Sequence, residues 1–407
     1  MLSASEARKT ILESLPDLPT ESVDLRGALH RALAVDVIAE TDIPPFNNSA
    51  MDGFAIRSQE TSGASVSQPT HLRLAGVVRA GDAGSVPLQP STAVRIMTGA
   101  IVPPGADAVV EQELAALENG LVEITTPVQR GRHIRRSGED IPKGATVLRK
   151  GTLLRAASLG VLASLGIARV EVFRKPKVAV LTGGDEVVDV EEPLQPGKIR
   201  NSNAYTLYGL LREDSCDPLD LGIARDEEMQ LRTRISRGLA CDVLITSGGV
   251  SVGEHDFVLK ILRELGVQIK FWKVNIKPGM PLAFGIYKLP ASDARTLVFA
   301  LPGNPVSTMV TYLQFVRPAL RTMTGGLQAS QPLRLVAKLE QDVIKRDGKR
   351  HFARGFLRNE KGQLFVRLTG SQSSGVLTSL VEANCLVIIP EELAEIKGGS
   401  DVEIELL

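Results

Sequence analysis

Three glycine-rich loops in the middle of the chain combine backbone freedom with polar side chains. They are Gly183-Gly184-Asp185-Glu186, Ser247-Gly248-Gly249-Val250-Ser251-Val252-Gly253-Glu254-His255-Asp256 and Pro302-Gly303-Asn304-Pro305-Val306-Ser307. Glycine lets a backbone approach a ligand closely, and the N–H groups of a loop that leads into a helix favour an anion. One such loop is usually only a turn. Three of them at one edge of a sheet predict a site that handles phosphate.

The carboxylates in or near these loops include Asp185, Glu186, Asp226 and Asp256. Two carboxylates ~4 Å apart repel each other by about 4 kcal/mol at an effective dielectric near 20, so a cluster of them favours a bound cation. Oxygen ligands without cysteine or paired histidine suit a hard ion such as Mg²⁺, which also contacts phosphate. For Asp185 or Asp226 taken singly, helix capping or exposure to solvent is an equally good interpretation.

Two lysines, Lys273 and Lys277, lie between the second and third loops. Their even spacing would place both on one face if the segment is a strand. Together they could hold an oxyanion, although an isolated lysine is more often a solvated surface charge. The following Pro278-Gly279 predicts a sharp turn, which favours a positioned Lys277 side chain.

The first third of the chain carries two unusual polar loops, Asn47 to Gly53 and Arg95 to Ala100. Turns with side-chain hydrogen bonds explain the first as well as a functional role does. A compact charge run follows, and by itself it is typical of a solvated surface turn. The run contains Arg132, Arg135, Arg136, Glu139 and Asp140.

The elements that position these residues follow from hydrophobic patterning. Continuous apolar runs at Val178–Thr182, Asp242–Thr246 and Leu297–Leu301 predict parallel strands covered on both faces. Helical patterns alternate with them: Leu231, Ile235 and Leu239 recur every four residues, and so do Phe257, Ile261 and Leu265. Strands alternating with helices predict a doubly wound α/β sheet, in which ligands bind beyond the carboxyl ends of the strands.

The flanking regions read as β structure. Short apolar runs such as Leu72 to Val78, between Gly and Pro, predict an inserted β-rich domain, and Leu333–Leu339, Leu364–Leu368, Cys385–Ile389 and Val402–Leu406 predict a C-terminal β-barrel-like domain. We therefore predict an α/β and β multidomain protein. Its limits are 1–40 plus 152–176 for an N-terminal helix and small connecting domain, 41–151 for the inserted domain, 177–327 for the central α/β domain and 328–407 for the C-terminal domain.

Bulk properties agree with a globular intracellular protein. The 407 residues are too many for one core, so two to four domains are expected. Lys+Arg and Asp+Glu are both 47, and the zero net charge argues against a general binder of nucleic acid or membrane surfaces. The three cysteines form no CxxC pair, and the residues from Met1 to Leu15 have a capping box, Ser3 and Glu6, rather than signal-peptide features. We expect a cytoplasmic protein.

Taken together, several motifs resemble the molybdopterin molybdenumtransferases, the family that includes MoeA and the E domain of gephyrin. The resemblance covers most of the chain, in order, from about Asp42 to Gly375. Besides the three loops, it rests on Asn48-Ser49-Ala50-Met51-Asp52-Gly53, Arg95-Ile96-Met97-Thr98-Gly99-Ala100 and Pro104-Gly105-Ala106-Asp107-Ala108-Val109-Val110.

The resemblance implies a four-domain subunit whose central domain is of the molybdopterin-binding type, and a homodimer whose site is shared between subunits. It implies a reaction in which adenylylated molybdopterin and molybdate give molybdenum cofactor and AMP, with Mg²⁺ as the cofactor. It also implies the molybdopterin adenylyltransferase as a partner. A tungstate-inserting homologue and a non-catalytic pterin-binding scaffold are the alternatives, and the intact acidic and lysine positions argue against the scaffold.

Site residues follow from the resemblance position by position. Those implied to be catalytic are Asp52, Thr98, Asp140, Glu186, Asp226, Lys273, Lys277 and Arg350, the last with Arg354 nearby and reaching across the dimer. Those implied to bind the pterin substrate are Gly183, Gly184, Ser247, Gly248, Gly249, Ser251, Gly253, Pro302, Gly303, Asn304, Pro305 and Ser371. Those implied to bind the metal are Asp185, Glu186 and Asp256. Many relatives have a third lysine where this chain has Met280, and a Ser or Thr where it has Gly183.

Overall fold

The computed structural model describes residues 1–82, 86–225, 227–249, 257–290, 292–325 and 332–407. The chain divides into two compact units. The first unit comprises Met1–Val35, Lys150–Arg155 and Arg169–Leu407, and the second comprises Asp36–Arg149 and Ala156–Ala168. The finer limits of four domains stay a prediction. In the described ranges, we find no helix with the length and apolar character to cross a membrane.

The second unit is built on a six-stranded sheet, as the short apolar runs predicted. Across the sheet the strands are Ala108–Glu111, Gly53–Ile56, Thr92–Ile96, Thr70–Val78, Leu121–Ile124 and Ala115–Glu118. Two short antiparallel pairs flank it, Asn48–Ser49 with Ile134–Arg135 and Val37–Ile38 with Thr146–Leu148. The helical segments of this unit are Ser58–Thr61, Gln112–Leu114 and α2 (Ala156–Ser164).

The N-terminal part of the first unit begins with helix α1 (Ala4–Leu12). The capping box is present, because the Glu6 N–H donates to Ser3 Oγ and the Ser3 N–H donates to the Glu6 carboxylate. Ile11 is buried in the main core. Next along the chain, Thr20–Asp24 pairs antiparallel with Arg169–Phe173.

The centre of the first unit is an open six-stranded sheet, here labelled β1 to β6. Its strands are β1 (Lys177–Gly183), β2 (Asp217–Ala224), β3 (Val243–Ser247), β4 (Gln268–Trp272), β5 (Ala283–Lys288) and β6 (Arg295–Leu301), and they lie in the order β2-β1-β3-β6-β5-β4. The first four are mutually parallel, and β5 runs antiparallel to both of its neighbours, β6 and β4, so β4 has the same direction as the first four. A two-residue pair, Val187–Val188 with Ile199–Arg200, follows β1.

Both faces of this sheet are covered, which explains why its strands are continuously apolar. Successive residues of a strand point to opposite faces, and Val178 and Val180 of β1 enter one core while Ala179 and Leu181 enter another. The first core includes residues of α1, α3 (Ser202–Glu213), α6 (Pro305–Thr311), the π-helical turn Tyr312–Val316 and α7 (Arg317–Met323). The second includes residues of α4 (Glu228–Gly238) and α5 (Phe257–Glu264). The doubly wound prediction is confirmed.

The segment that carries the two lysines is not the single strand considered from its spacing. Strand β4 ends at Trp272, and Lys273 has a φ of 73°, which breaks an extended chain. Ile276–Lys277 forms a separate two-residue strand, which pairs in parallel with the start of the longest C-terminal strand. The lysines therefore do not share one face of one strand.

The C-terminal region is a closed five-stranded barrel, as predicted in outline. Its strands are β7 (Arg334–Leu339), β8 (Arg350–Glu360), β9 (Gln363–Leu368), β10 (Cys385–Ile389) and β11 (Asp401–Leu406). They close in the ring β8-β9-β7-β11-β10-β8. Strand β8 was not predicted. The pair Val343–Ile344 with Glu395–Ile396 and helix α8 (Thr378–Glu382) complete the region.

Candidate functional site

The three glycine-rich loops meet at the carboxyl edge of the central sheet. An added Cβ at Gly248, where φ is 97°, would lie 2.4 Å from the Gly183 carbonyl oxygen. The Gly248 N–H donates to the Leu301 carbonyl at 3.2 Å, and an added Cβ at Gly303 would lie 3.4 Å from the Gly248 Cα. Glycine is thus required at position 248, where a side chain would clash with the backbone of the neighbouring loop, whereas Gly303 makes an ordinary close contact.

Neutral hydrogen bonds fix the second loop to the third. The Ser247 hydroxyl donates to the Pro302 carbonyl at 3.2 Å, and Thr308 Oγ1 donates to the same carbonyl at 2.6 Å. Asn203, at the start of α3, donates to Ser247 Oγ at 2.9 Å and to the Gly303 carbonyl at 2.7 Å. Ser247 and Thr308 are buried. These contacts set the shape of the edge before any ligand arrives.

The loop from Gly370 to Gly375 reaches the same edge. Asn304 Nδ2 donates to Ser374 Oγ at 3.0 Å, and the Val306 N–H donates to the Ser374 carbonyl at 3.2 Å. Arg354 holds this loop from inside, since its guanidinium donates to the carbonyls of Ser371 and Ser373. Only 1% of Arg354 is exposed, and burial lowers its pKa. Arg354 is therefore a buried structural residue, whereas Arg350 is partly exposed and pairs with Glu391 at 2.7 Å.

The acidic side of the edge is described only in part. Asp185 and Glu186 follow β1 and are exposed, and Lys198 Nζ donates to the Asp185 carbonyl at 2.6 Å. Asp226, Ser251, Gly253 and Asp256 lie outside the described residues. Among the residues that are described, no three His, Cys, Asp or Glu side chains are grouped for a metal ion. The donors present, two carboxylates, have the oxygen chemistry that Mg²⁺ prefers.

The basic side centres on Lys277. Its ammonium lies 3.3 Å from Asp347 Oδ2 and remains 57% exposed. His351 Nε2 donates to Asp347 Oδ1 at 2.8 Å. Burial tends to raise the pKa of Asp347, but hydrogen bonds from His351, the Lys349 N–H and Lys277 outweigh it and lower the pKa to about 2. Burial in turn is the main cause of the lowered pKa of His351.

The other two residues of interest on this side have different surroundings. The Lys273 ammonium lies over the Trp272 ring, 4.2 Å from its centroid. Met280, where the resemblance led us to expect a lysine, has the Lys349 ammonium 3.3 Å from its sulfur. A lysine distant in sequence therefore supplies positive charge beside Met280.

In the second unit, the structure brings two predicted site residues together. Asp52 Oδ1 accepts from the Thr98 N–H at 2.6 Å and from Thr98 Oγ1 at 2.7 Å. These two hydrogen bonds lower the pKa of Asp52. Asp140 is exposed at its own turn, where its N–H donates to the Ile43 carbonyl. In the charge run before it, Arg132 is partly buried and pairs with Glu111.

Four of these structural participants were missed in the sequence: Asn203, Thr308, Asp347 and His351. The Asn201-Ser202-Asn203 run before a helical pattern is a capping signal that could have drawn attention to Asn203. Asp347 and His351 carried no usable signal, because strand β8 was itself not predicted.

Comparisons with known proteins agree along the whole chain. Residues 2–166 match the MoeA N-terminal region (domain I and II), residues 179–322 match a probable molybdopterin binding domain, and residues 336–407 match the MoeA C-terminal region (domain IV).

Individual relatives match over their full length. The chain is 40% identical to a molybdopterin molybdenumtransferase of Haemophilus influenzae, covering 100% of this chain and 98% of the relative. It is 37% identical to one of Bacillus subtilis, covering 95% and 90%. A crystal structure of the molybdopterin biosynthesis MoeA protein from Pyrococcus horikoshii OT3 superposes with a TM-score of 0.85, at 32% identity and covering 100% of both chains. The chain belongs to the MoeA family of molybdopterin molybdenumtransferases.

Proposed function

We propose that this enzyme of molybdenum cofactor biosynthesis inserts molybdate into adenylylated molybdopterin and releases AMP. The observation that carries the proposal is the meeting of the Gly183, Gly248 and Gly303 loops at one sheet edge, with Lys277 available nearby in the same unit. Backbone N–H groups and glycines suit a phosphate, and an exposed ammonium suits an oxyanion.

The glycine loops would hold the phosphates of the adenylylated substrate. Their geometry is set by Ser247, Thr308 and Asn203, so little ordering of the backbone is needed when the substrate binds. Pro302, Gly303, Asn304 and Pro305 lead into α6 and would line the phosphate site. At the start of α6 itself, Pro305 has no N–H and the Val306 N–H is already donated to the Ser374 carbonyl.

Asp185 and Glu186, with Asp256, would hold Mg²⁺, which when bound supplies charge neutralisation at the phosphates. Lys273 and Lys277 would hold the molybdate dianion. Lys277 already shares its charge with Asp347, so molybdate would replace a weak, solvent-screened ion pair rather than a buried one. Water would cleave the phosphoanhydride, which releases AMP and leaves the other phosphate on the pterin, and the two dithiolene sulfurs would replace two molybdate oxygens, which leave as water.

The remaining assignments complete the proposal. Asp52, Thr98 and Asp140 would have the catalytic roles that the resemblance implies, and Ser371 would line the same cleft as the third loop. The enzyme would work in the cytoplasm as a homodimer that shares each site, with Arg350 contributed by the partner. The molybdopterin adenylyltransferase would supply its substrate.

The deciding experiment is AMP release from adenylylated molybdopterin, with and without molybdate and with Mg²⁺ or a chelator. We expect release that requires both molybdate and Mg²⁺. A parallel reaction with tungstate reads out oxyanion preference. A folded protein that releases no AMP under any condition would favour the pterin-binding scaffold instead.

Substitution of the basic residue sharpens this test. Lys277→Ala and Asp226→Ala should abolish molybdate-dependent AMP release while leaving the unfolding temperature unchanged. Lys270→Ala, an exposed lysine on neighbouring β4, is the matched control and should keep full activity. Normal turnover by Lys277→Ala would overturn its assigned role.

A further inference from the structure

A cavity lies at the free edge of the central sheet, outside the three glycine loops. Its volume is about 260 Å³, and it is bounded by Val180 of β1, Gly222 and Ile223 of edge strand β2, and the first two turns of α3. None of the residues assigned above to phosphate, metal or molybdate lines it. The cavity therefore has no role in the proposed function so far.

The α3 wall of this cavity is aromatic. Tyr205 and Tyr208 lie three residues apart, hence on one side of the helix, and both line the cavity. Their exposed fractions are 56% and 54%, so neither ring is packed in the hydrophobic core. The chain has only four tyrosines, and two meet here. Tyrosine rings offer flat faces on which a planar ligand stacks.

The polar groups of the cavity are acidic. Asp189 and Asp220 line it, and none of its described lining residues is a lysine or an arginine. A backbone N–H orients each carboxylate: Val190 donates to Asp189 Oδ1 at 2.6 Å and Gly222 donates to Asp220 Oδ1 at 2.7 Å. Such a surface repels phosphate and attracts a ligand that presents N–H donors.

The start of α3 connects this cavity to the glycine loops. Asn201 lines the cavity and donates to Thr182 Oγ1 at 2.9 Å, one residue before Gly183. Asn203, two residues on, donates to Ser247 and to the Gly303 carbonyl. A single ligand could thus place its phosphates on the loops and a ring in the cavity.

We propose that the cavity beside Tyr205, Tyr208, Asp189 and Asp220 binds a flat bicyclic heterocycle that carries exocyclic N–H donors. This inference rests on the proposed function, because the adenylylated substrate has two groups of that chemistry, the pterin and the adenine. The tyrosine faces stack on the ring, the two carboxylates accept from its N–H groups, and the phosphates are left to the basic and glycine-rich side.

Direct binding of neutral, phosphate-free probes tests the proposal. Adenosine and 6-hydroxymethylpterin are titrated separately into the full chain by calorimetry. Tyr205→Leu should lower the affinity for the probe that binds in the cavity about tenfold, because loss of one stacking face typically has that effect. Asp220→Asn should weaken it several-fold, and Tyr205→Phe, which keeps the ring, should bind nearly as well as the parent. The probe that responds identifies which heterocycle occupies the cavity.

Two controls make the result decisive. Arg237→Gln changes an exposed residue at the end of α4, which covers the other face of the sheet, and should leave both affinities unchanged. Inorganic phosphate should bind equally to the parent and to Tyr205→Leu. The proposal is overturned if neither probe binds the parent, or if Tyr205→Leu and Asp220→Asn bind both probes as the parent does.

The AMP-release assay separates this inference from the proposed function. With both correct, Tyr205→Leu raises the KM for adenylylated molybdopterin about tenfold and leaves kcat nearly unchanged. If the parent enzyme turns over and the variants keep its KM and its probe affinities, the proposed role of the cavity is wrong and the proposed function stands. If the parent enzyme does not turn over but probe binding still depends on Tyr205, the proposed role of the cavity stands and the proposed function is wrong.

Discussion

The loops after β3 and β6 are joined by buried neutral hydrogen bonds, whereas the lysine side of the site is joined by ion pairs that stay partly exposed. Ser247, Thr308 and the Pro302 carbonyl form one example, and Lys277 with Asp347 forms the other. A buried hydrogen bond has no competing solvent, so breaking it leaves an unsatisfied group. An exposed ion pair exchanges readily with water or with a charged ligand.

The contrast separates two tasks within one site. The glycine-loop side keeps a fixed shape into which a phosphate can fit. On the lysine side, the Lys277 ammonium is held only by a solvent-exposed ion pair with Asp347, and an incoming oxyanion can replace that carboxylate. If this division is correct, substitutions on the first side should cost both stability and activity, while those on the second should leave stability almost intact.

The largest effect is expected where backbones touch. Gly248→Ala must push the Gly183 carbonyl away and also strains a positive φ, so the two loops separate. We expect kcat/KM for AMP release to fall about a hundredfold, the usual consequence of a displacement near 1 Å. Gly197→Ala has a similar φ of 79° and open space around it, and so controls for strain alone. Equal losses in the two variants would show that contact between the loops is unimportant.

An intermediate effect is expected from the buried hydroxyl. Thr308→Val removes the donor to the Pro302 carbonyl and should lower the free energy of unfolding by about 1–3 kcal/mol, with a clear loss of activity. Thr296→Val is the matched control at the opposite end of β6, where the hydroxyl donates to the Leu239 carbonyl. It should cost similar stability and leave kcat/KM unchanged. Urea unfolding and AMP release measure the two quantities, and a full-activity Thr308→Val would contradict the fixed-shape interpretation.

The smallest effect on stability is expected on the lysine side. Lys277→Ala should change the free energy of unfolding at neutral pH by no more than about 1 kcal/mol, because its pair with Asp347 is screened by solvent. Asp347→Asn tests how stability depends on pH. The pKa of Asp347 is lowered to about 2, against about 4 in an unfolded chain, so its contribution is present above pH ~4 and is lost as the pH falls towards 2. Between about pH 4 and pH 2, the free energy of unfolding should therefore fall less steeply for Asp347→Asn than for the parent. Identical pH dependence in the two proteins would rule out this assignment.

Much of the fold could be read from local pattern because both faces of the central sheet are buried. Val178–Leu181 and Leu297–Leu301 are apolar at every position for that reason, and β1, β3 and β6 pair in parallel as predicted. The glycine loops followed, since parallel strands end at one edge. Strand β8 was missed because its pattern is interrupted: Arg354 is a charged residue at a fully buried position, and Gly355 follows it.

The basic side shows where spacing misleads. Lys273 and Lys277 have the interval of residues on one strand face, but the positive φ at Lys273 ends the strand between them. Nothing local in the sequence signals that break. It is imposed from outside the segment, where Ile276 and Lys277 pair with Arg350 and His351 some seventy residues later.

The family, the doubly wound sheet, the outline of the barrel and the three loops could all be predicted, because each depends on short-range pattern and on motifs that are contiguous in the chain. The side chains that complete the site could be identified only from the folded molecule. Asn203 reaches Ser247 across 44 residues of sequence, Asp347 joins Lys277 to His351, and Lys349 stands beside Met280. Such partners are chosen by how distant elements pack, and packing depends on the whole chain.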